Sequence, residues 1–293
     1  MGAAAILTLA ACSLGTGANL DPESRSFFET AGLVMTDAER DIFVHLPDLE
    51  ARRDFMKEFW EKRDPDPETP ENEFRADFEK RIDYVTKRFN EGQRGYNTDR
   101  GRIYLYLGAP DRTEEYQDSP LDNQLETILV WYYFRYDLAV IFRSPIGQNR
   151  YRMAVDDIYG DLLNAIDMAK LGETFTSAGP QVSFINFGLK YDAEKRTFDV
   201  SIPVKRVNFR DIEGKLVAAF DLKFTVYKLG TAEKDKFTET RVFSETREAA
   251  QASRTILFTI SRELAAPGKY YVDVVLDGKE GAGNGRKIFS IKR

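Results

Sequence analysis

The sequence holds one cysteine, Cys12, and one histidine, His45. A lone cysteine excludes an intrachain disulfide, and the two together exclude a zinc site built from cysteine and histidine clusters. Nucleophile–histidine catalysis is left with His45 alone as its base. Its place before Leu46-Pro47 fits a helix-end histidine that hydrogen-bonds carbonyls better than a catalytic base. Long apolar runs are missing too: the longest, Ala3 to Ala11, is too short to cross a bilayer. Clusters of lysine and arginine are equally absent. Residues 1–180 carry 21 Lys and Arg against 33 Asp and Glu, giving −12; residues 181–293 carry 21 against 15, giving +6, and the sum is the net −6 of the chain. The basic surplus of the second part is scattered over expected strands, so nucleic acid is not an expected partner. Two modules of opposite sign are instead steered toward each other or toward a partner.

What remains is ordinary globular composition over 293 residues, enough for about two domains. The first residues read as an address. The apolar run ends in Leu9-Ala10-Ala11-Cys12, which resembles a bacterial lipobox, and a small polar stretch follows from Ser13 to Asn19. The expected arrangement is a signal peptide over 1–11, then a lipidated Cys12 and tether over 12–35. Acylation contributes about 0.8 kcal/mol per buried CH₂, so several chains anchor a protein without a spanning helix. The expected location is the cell envelope, on a membrane facing the periplasm or the cell surface.

Residues 36–172 read as an α+β domain of helices and a small antiparallel sheet. Thr36-Asp37-Ala38-Glu39 forms a capping box before a short helix. A second helix runs from about Asp48 to Lys62, stopped by Asp64-Pro65-Asp66-Pro67. Thr69-Pro70 signals a third, carried by Phe74, Phe78, Ile82, Val85 and Phe89 and closed by Gly92. From Ile103 to Leu107 apolar residues alternate with Tyr104 and Tyr106, a strand pattern. Thr127–Phe134 and Leu138–Phe142 read as a hairpin, Arg150–Val155 as a strand, and Ile158 to Ala169 as a helix ending at Gly172. A linker is expected over 173–180. Residues 181–293 then alternate in strand after strand, about seven in all, which predicts an all-β immunoglobulin-like sandwich.

Two stretches in the first domain, Phe59 to Glu73 (FWEKRDPDPETPENE) and Arg94 to Asp111 (RGYNTDRGRIYLYLGAPD), resemble the GWxTD-domain family of exported bacterial proteins. Gly95, Thr98 and Asp99 match the family's motif, Asn97 is its free position, and Tyr96 stands where the motif has tryptophan. The resemblance implies an exported, often lipid-anchored protein with a β-rich C-terminal module. It implies no established reaction and so carries over no catalytic residue.

The motif residues Gly95, Tyr96, Thr98, Asp99, Arg100 and Gly101 have a structural reading and a binding reading. In the structural one, Thr98 and Asp99 accept from nearby backbone NH groups, Gly101 supplies a positive φ, and Tyr96 packs on the long helix. The acids Asp64, Asp66, Glu68, Glu71 and Glu73 hint at a calcium loop, but the interleaved prolines and the missing turn glycine favour a solvated helix start. A carboxylate-based hydrolase acting on envelope polysaccharide or peptide would need two of Asp99, Asp111 and Glu73 about 5–10 Å apart. Trp131-Tyr132-Tyr133 lies in a strand, where a core beneath a helix accounts for it better than a binding surface. The expected function is therefore a non-enzymatic envelope lipoprotein that binds or assembles with an envelope protein or polymer, held to the membrane by its lipid anchor, with no cofactor and no metal.

Overall fold

The computed structural model describes residues 20–118, 125–155, 162–172 and 185–293. The expected signal peptide, Cys12 and the linker at 173–180 lie outside the described residues.

Five helices open the described chain. The first, α1 (Pro22–Ala31), falls inside the stretch expected to be a tether. Asp21 caps it by accepting from the Ser24 NH, and Pro22 occupies the first turn, where a missing NH costs nothing. Phe28 and Ala31 are buried, so this part of the expected tether belongs to the folded domain. Thr36 and Glu39 form both halves of the capping box before α2 (Asp37–His45). Asp48 caps α3 (Leu49–Glu61). The next helix, α4 (Glu73–Arg88), begins later than Thr69-Pro70 would place it. Asn72 is its cap: the side-chain oxygen accepts from Arg75, and the amide donates to the Trp60 carbonyl at 2.8 Å, tying the start of α4 to the end of α3. At the other end Phe89 is the C-cap, and Gly92, with φ of 80°, lies three residues beyond it.

The alternating stretch after the motif is not a strand. It is α5 (Asp99–Leu107). Its buried residues nevertheless alternate, and the reason is geometric. Two positions on a helix differ by about 200°, so Leu105 faces away from Ile103 and Leu107. Leu105 packs among Phe59, Phe78 and the α1–α3 aromatics. Ile103 and Leu107 pack on the other side against Val85, Phe89, Trp131 and Phe142. A helix clamped between two cores thus shows the period of a strand.

Four antiparallel strands follow in the order β1 (Arg112–Asp118), β2 (Glu126–Tyr133), β3 (Leu138–Pro145) and β4 (Arg152–Met153). The expected hairpin is β2–β3. The strand expected over Arg150–Val155 is reduced to two residues at the sheet edge. Helix α6 (Leu162–Lys170) packs with α4 and α5 over one face of the sheet, burying Trp131 and Tyr133 as core residues. Tyr132 points to the opposite face, where its hydroxyl donates to Glu114 at 2.8 Å.

The C-terminal region is a β-sandwich of two antiparallel sheets. One holds β5 (Gly188–Asp192), β6 (Thr197–Pro203) and β10 (Thr255–Ser261). The other holds β7 (Arg210–Ile212), β8 (Lys215–Lys228), β9 (Lys234–Thr246), β11 (Lys269–Gly278) and β12 (Asn284–Lys292). A short α7 (Arg247–Ala252) links β9 to β10. Phe198, Val200, Ile202, Phe258 and Ile260 from the first sheet meet Phe220, Phe224, Val272 and Val274 from the second. Burial of this kind stabilises by about 25 cal/mol per Å² of apolar surface. The outer face of the larger sheet is not free. Tyr227 and Tyr271 join Phe28, Phe43, Phe55 and Phe59 in one core, so α1–α3 and the sandwich share it.

Candidate functional site

The motif is built from close backbone contact. Gly95 opens a single 3₁₀ turn (Gly95–Asn97) after α4. A Cβ there would lie 1.8 Å from the Val85 carbonyl oxygen, so only glycine lets the turn lie on α4. Thr98 is the N-cap of α5: its hydroxyl accepts from the Gly101 NH at 2.9 Å and donates to the Gly95 carbonyl at 2.7 Å. Gly101 has no positive φ, contrary to expectation; it sits in the first turn of α5. Its Cβ would meet the Gly95 carbonyl oxygen at 1.9 Å, so close approach is what requires glycine there.

Asp99 accepts from a distant NH, not a neighbouring one. Its Oδ2 receives the NH of Met153 at 2.9 Å, on edge strand β4. Arg100 points the same way. It donates to Glu91 Oε1 at 2.8 Å and to Asn149 Oδ1 at 3.1 Å, and its guanidinium lies 3.9 Å from the Tyr151 ring centroid. Glu91 Oε2 in turn accepts from the Tyr151 NH at 2.9 Å. The Tyr96 ring, half-buried, touches both helical cores, and its hydroxyl accepts from Arg94 at 2.8 Å. These residues fasten α4, α5 and β4 together.

The other sequence candidates are engaged separately. Asp111 accepts from the Phe134 NH at 2.8 Å, and Glu73 from the Thr69 hydroxyl at 2.6 Å, while Asp99 serves Met153. Asp64 and Asp66 accept from the backbone NH groups of Asp66 and Glu68, as in a self-bonded turn. No group of three metal-ligating side chains occurs among the described residues. His45 Nδ1 donates to the Asp41 carbonyl at 2.8 Å, closing its helix as expected.

A second constellation was not foreseen: a charged joint where α2 and α3 meet the sandwich. Arg63, fully enclosed, donates to both Glu39 oxygens at 2.7 and 2.8 Å and to the carbonyls of Lys170 and Phe59 at 2.7 and 3.0 Å. Arg286 grips Asp273 with two bonds of 3.0 and 2.8 Å and donates to the Leu171 carbonyl at 3.1 Å. It also lies 3.8 Å from Glu39, which links the two pairs. Lys62 completes the chain, donating to Asp273 at 3.0 Å and to the Tyr227 hydroxyl at 2.8 Å. A cavity of about 10 Å³, room for one water, lies between Glu39, Lys62, Tyr227 and Asp273.

Burial by itself would raise the Asp273 carboxyl, but Arg286 and Lys62 outweigh it and hold the group well below the usual carboxylate range. Burial pulls Arg63 down, opposed by Glu39. For Arg286 the burial effect is overcome by Asp273, and the guanidinium is held more firmly protonated. Around this centre lie two more clasps. Asp41 accepts from Lys269 at 2.8 Å and Tyr271 at 2.5 Å, and Glu58 pairs with Lys234 and, at 3.0 Å, Lys236. Among the described residues, five of the six cross-joint pairs put the acid on the helices and the base on the sandwich; Lys62–Asp273 is the exception. The opposite charges of the two halves of the sequence therefore meet within the molecule. Asp273 had one visible signal: a lone acid in the run Tyr270-Tyr271-Val272-Asp273-Val274-Val275, whose other face is wholly apolar.

Beside the joint an open groove of about 230 Å³ runs between α3 and the β8–β9 turn, lined among others by Asp48, Glu50, Asp54, Phe55, Tyr227 and Glu233. No helix among the described residues is long and apolar enough to cross a membrane. Residues 25–136 match the family model described as the GWxTD domain. No curated protein matches the chain.

Proposed function

Residues 25–136 of this chain are a GWxTD domain, and from that premise we propose a non-enzymatic binding or assembly component of the cell envelope, lipid-anchored through Cys12. The observation that carries this reading is how the motif uses its polar groups. Thr98, Asp99 and Arg100 direct their hydrogen bonds to the protein's own backbone and side chains, so their chemistry is spent on holding helices to a sheet edge. A buried ionic joint then fixes this domain on a sandwich, and a groove with carboxylates and two aromatic rings opens beside the joint. Grooves at such junctions are common seats for ligands and partner segments.

The test is recovery of partners from native envelopes with the full-length chain. A partner that co-purifies with the parent, and is lost when Asp54 and Glu233 are both changed to Lys, supports the reading. Cys12→Ser should move the protein from the membrane to the soluble fraction. Hydrolysis of envelope polysaccharide or peptide that disappears in a normally folded Asp99→Asn variant would replace this reading with an enzymatic one.

A further inference from the structure

Three helices bring cations to one place. Arg40 comes from α2, Arg102 from α5 and Lys170 from the last turn of α6. Tyr106, one turn beyond Arg102 on the same helix face, lies under Lys170, whose Nζ is 5.2 Å from the ring centroid. Arg63 bonds both the Lys170 carbonyl and Glu39, the neighbour of Arg40, which sets α2 beside the end of α6, and both guanidiniums act electrostatically on the Tyr106 hydroxyl.

Their hydrogen bonding is incomplete. Arg40 donates through Nη2 to the Gly32 carbonyl, and Arg102 through Nη2 to the Asn97 carbonyl at 3.1 Å. The Nε–H of each is buried and has no acceptor. Buried donors on a charged group are rarely left unsatisfied. The nearby acids do not meet this need. Asp37 and Asp167 attract the Lys170 ammonium, and neither bonds the two guanidinium Nε–H groups. Glu39 is bidentate with Arg63, and Asp99, 3.7 Å from Arg102, already accepts from Met153. Burial and then Arg40 push the Lys170 ammonium below its ordinary value.

We propose that Arg40, Arg102, Tyr106 and Lys170 form a binding site for a phosphate-type oxyanion. Two guanidiniums, an ammonium and a phenol hydroxyl approach from three helices, and a tetrahedral anion offers acceptor oxygens in as many directions. A planar carboxylate would fit one fork and leave the rest unmet. The phosphate group is either that of a soluble phosphomonoester or inorganic phosphate, or that of an anionic lipid headgroup.

The experiment uses the full chain carrying Cys12→Ser. Inorganic phosphate and glycerol 3-phosphate are titrated by calorimetry against chloride at matched ionic strength. In a parallel arm, vesicles of phosphatidylglycerol are compared with vesicles of phosphatidylcholine. Saturable binding that weakens at least tenfold in Lys170→Met and in Arg102→Gln is the expected result, with Lys170→Arg retaining most of it. Should either loss-of-charge variant fail to fold, Tyr106→Phe, which removes one donor and keeps the ring, should still weaken binding severalfold. Retention on phosphatidylglycerol vesicles that free phosphate competes away assigns the headgroup; binding in solution without vesicle retention assigns the soluble ligand. The absence of saturable binding in both arms, or equal binding by the parent and all charge-removing variants, overturns the site.

Discussion

At Gly95, Thr98 and Gly101 the turn before α5 is fastened by small neutral groups: a threonine hydroxyl bonded three residues either way, and two glycines pressed against carbonyls. At the α2–α3 joint the same task falls to charged groups brought from far apart, as with Lys62 and Asp273, 211 positions from each other. The difference concerns what each fastening costs when it is broken. Short-range neutral contacts lose about one hydrogen bond apiece. Buried charges lose a partner they cannot replace with water. The joint therefore sets whether the two regions stay together, and the Gly95–Thr98–Gly101 contacts set how well α5 begins.

The largest effect is expected at Asp273. Asp273→Ala strips Arg286 of its bidentate partner and Lys62 of its nearest acid, both inside a closed joint. Breaking such a pair costs about 3–5 kcal/mol. Urea denaturation should show the loss, and Asp273→Leu combined with Arg286→Met should recover part of it, because no lone charge remains. A double variant as unstable as the single one would remove the case for charge as the cause.

The same joint predicts a pH dependence with a definite sign. Asp273, Glu58 and Asp41 all have folded-state values held below normal by cationic partners that outweigh burial. A carboxyl with a depressed folded value contributes its full stability above its unfolded value and loses it as pH falls through the folded one. Stability should hold near neutrality and decline from about pH 4 downward. Melts across that window should show the decline flattened in Asp273→Leu/Arg286→Met, where the most perturbed carboxyl is gone.

Next in size is Gly101→Ala. The added methyl would sit 1.9 Å from a backbone oxygen that cannot swing away. Overpacking of this kind costs about 1–3 kcal/mol. Gly95→Ala should behave alike, since its obstacle is also a carbonyl. If Gly101→Ala melts with the parent, α5 does not lie as close to the turn as the contact requires.

The smallest effect belongs to the cap. Thr98→Ala removes the acceptor for the Gly101 NH and the donor to Gly95. Losing an N-cap costs about 0.5–2 kcal/mol, and Thr98→Ser should restore most of it because the hydroxyl is what acts. A serine variant as weak as the alanine one would point to the threonine methyl instead.

Much of this was legible along the chain. The capping box at Thr36 and Glu39, the β2–β3 hairpin and the alternating strands of the sandwich all follow from patterns confined to a few neighbouring residues. Reading failed where the partner was remote. β1, with the sequence Arg-Thr-Glu-Glu-Tyr-Gln-Asp, carries no apolar alternation and becomes a strand by pairing with β2. β9 extends over Lys234–Thr246 because the long β8 gives it a template, although its own side chains are mostly polar.

The sequence by itself determined the division into an α+β part and a β-sandwich, the opposite charges of the two parts, and the starts of α2 and α3, since propensity, capping and hydrophobic period act over one or two turns. Only the tertiary structure decided that Ile103–Leu107 is a helix, because its alternation reflects two cores on opposite sides and not a pleated sheet. It also decided that Gly101 answers a steric need, that Asp99 serves a strand 54 residues away, and that Glu39, Arg63, Asp273 and Arg286 form one buried network. In each case the deciding contact joins residues whose separation along the chain carries no local signal, so the energy that fixes them exists only once the fold has closed.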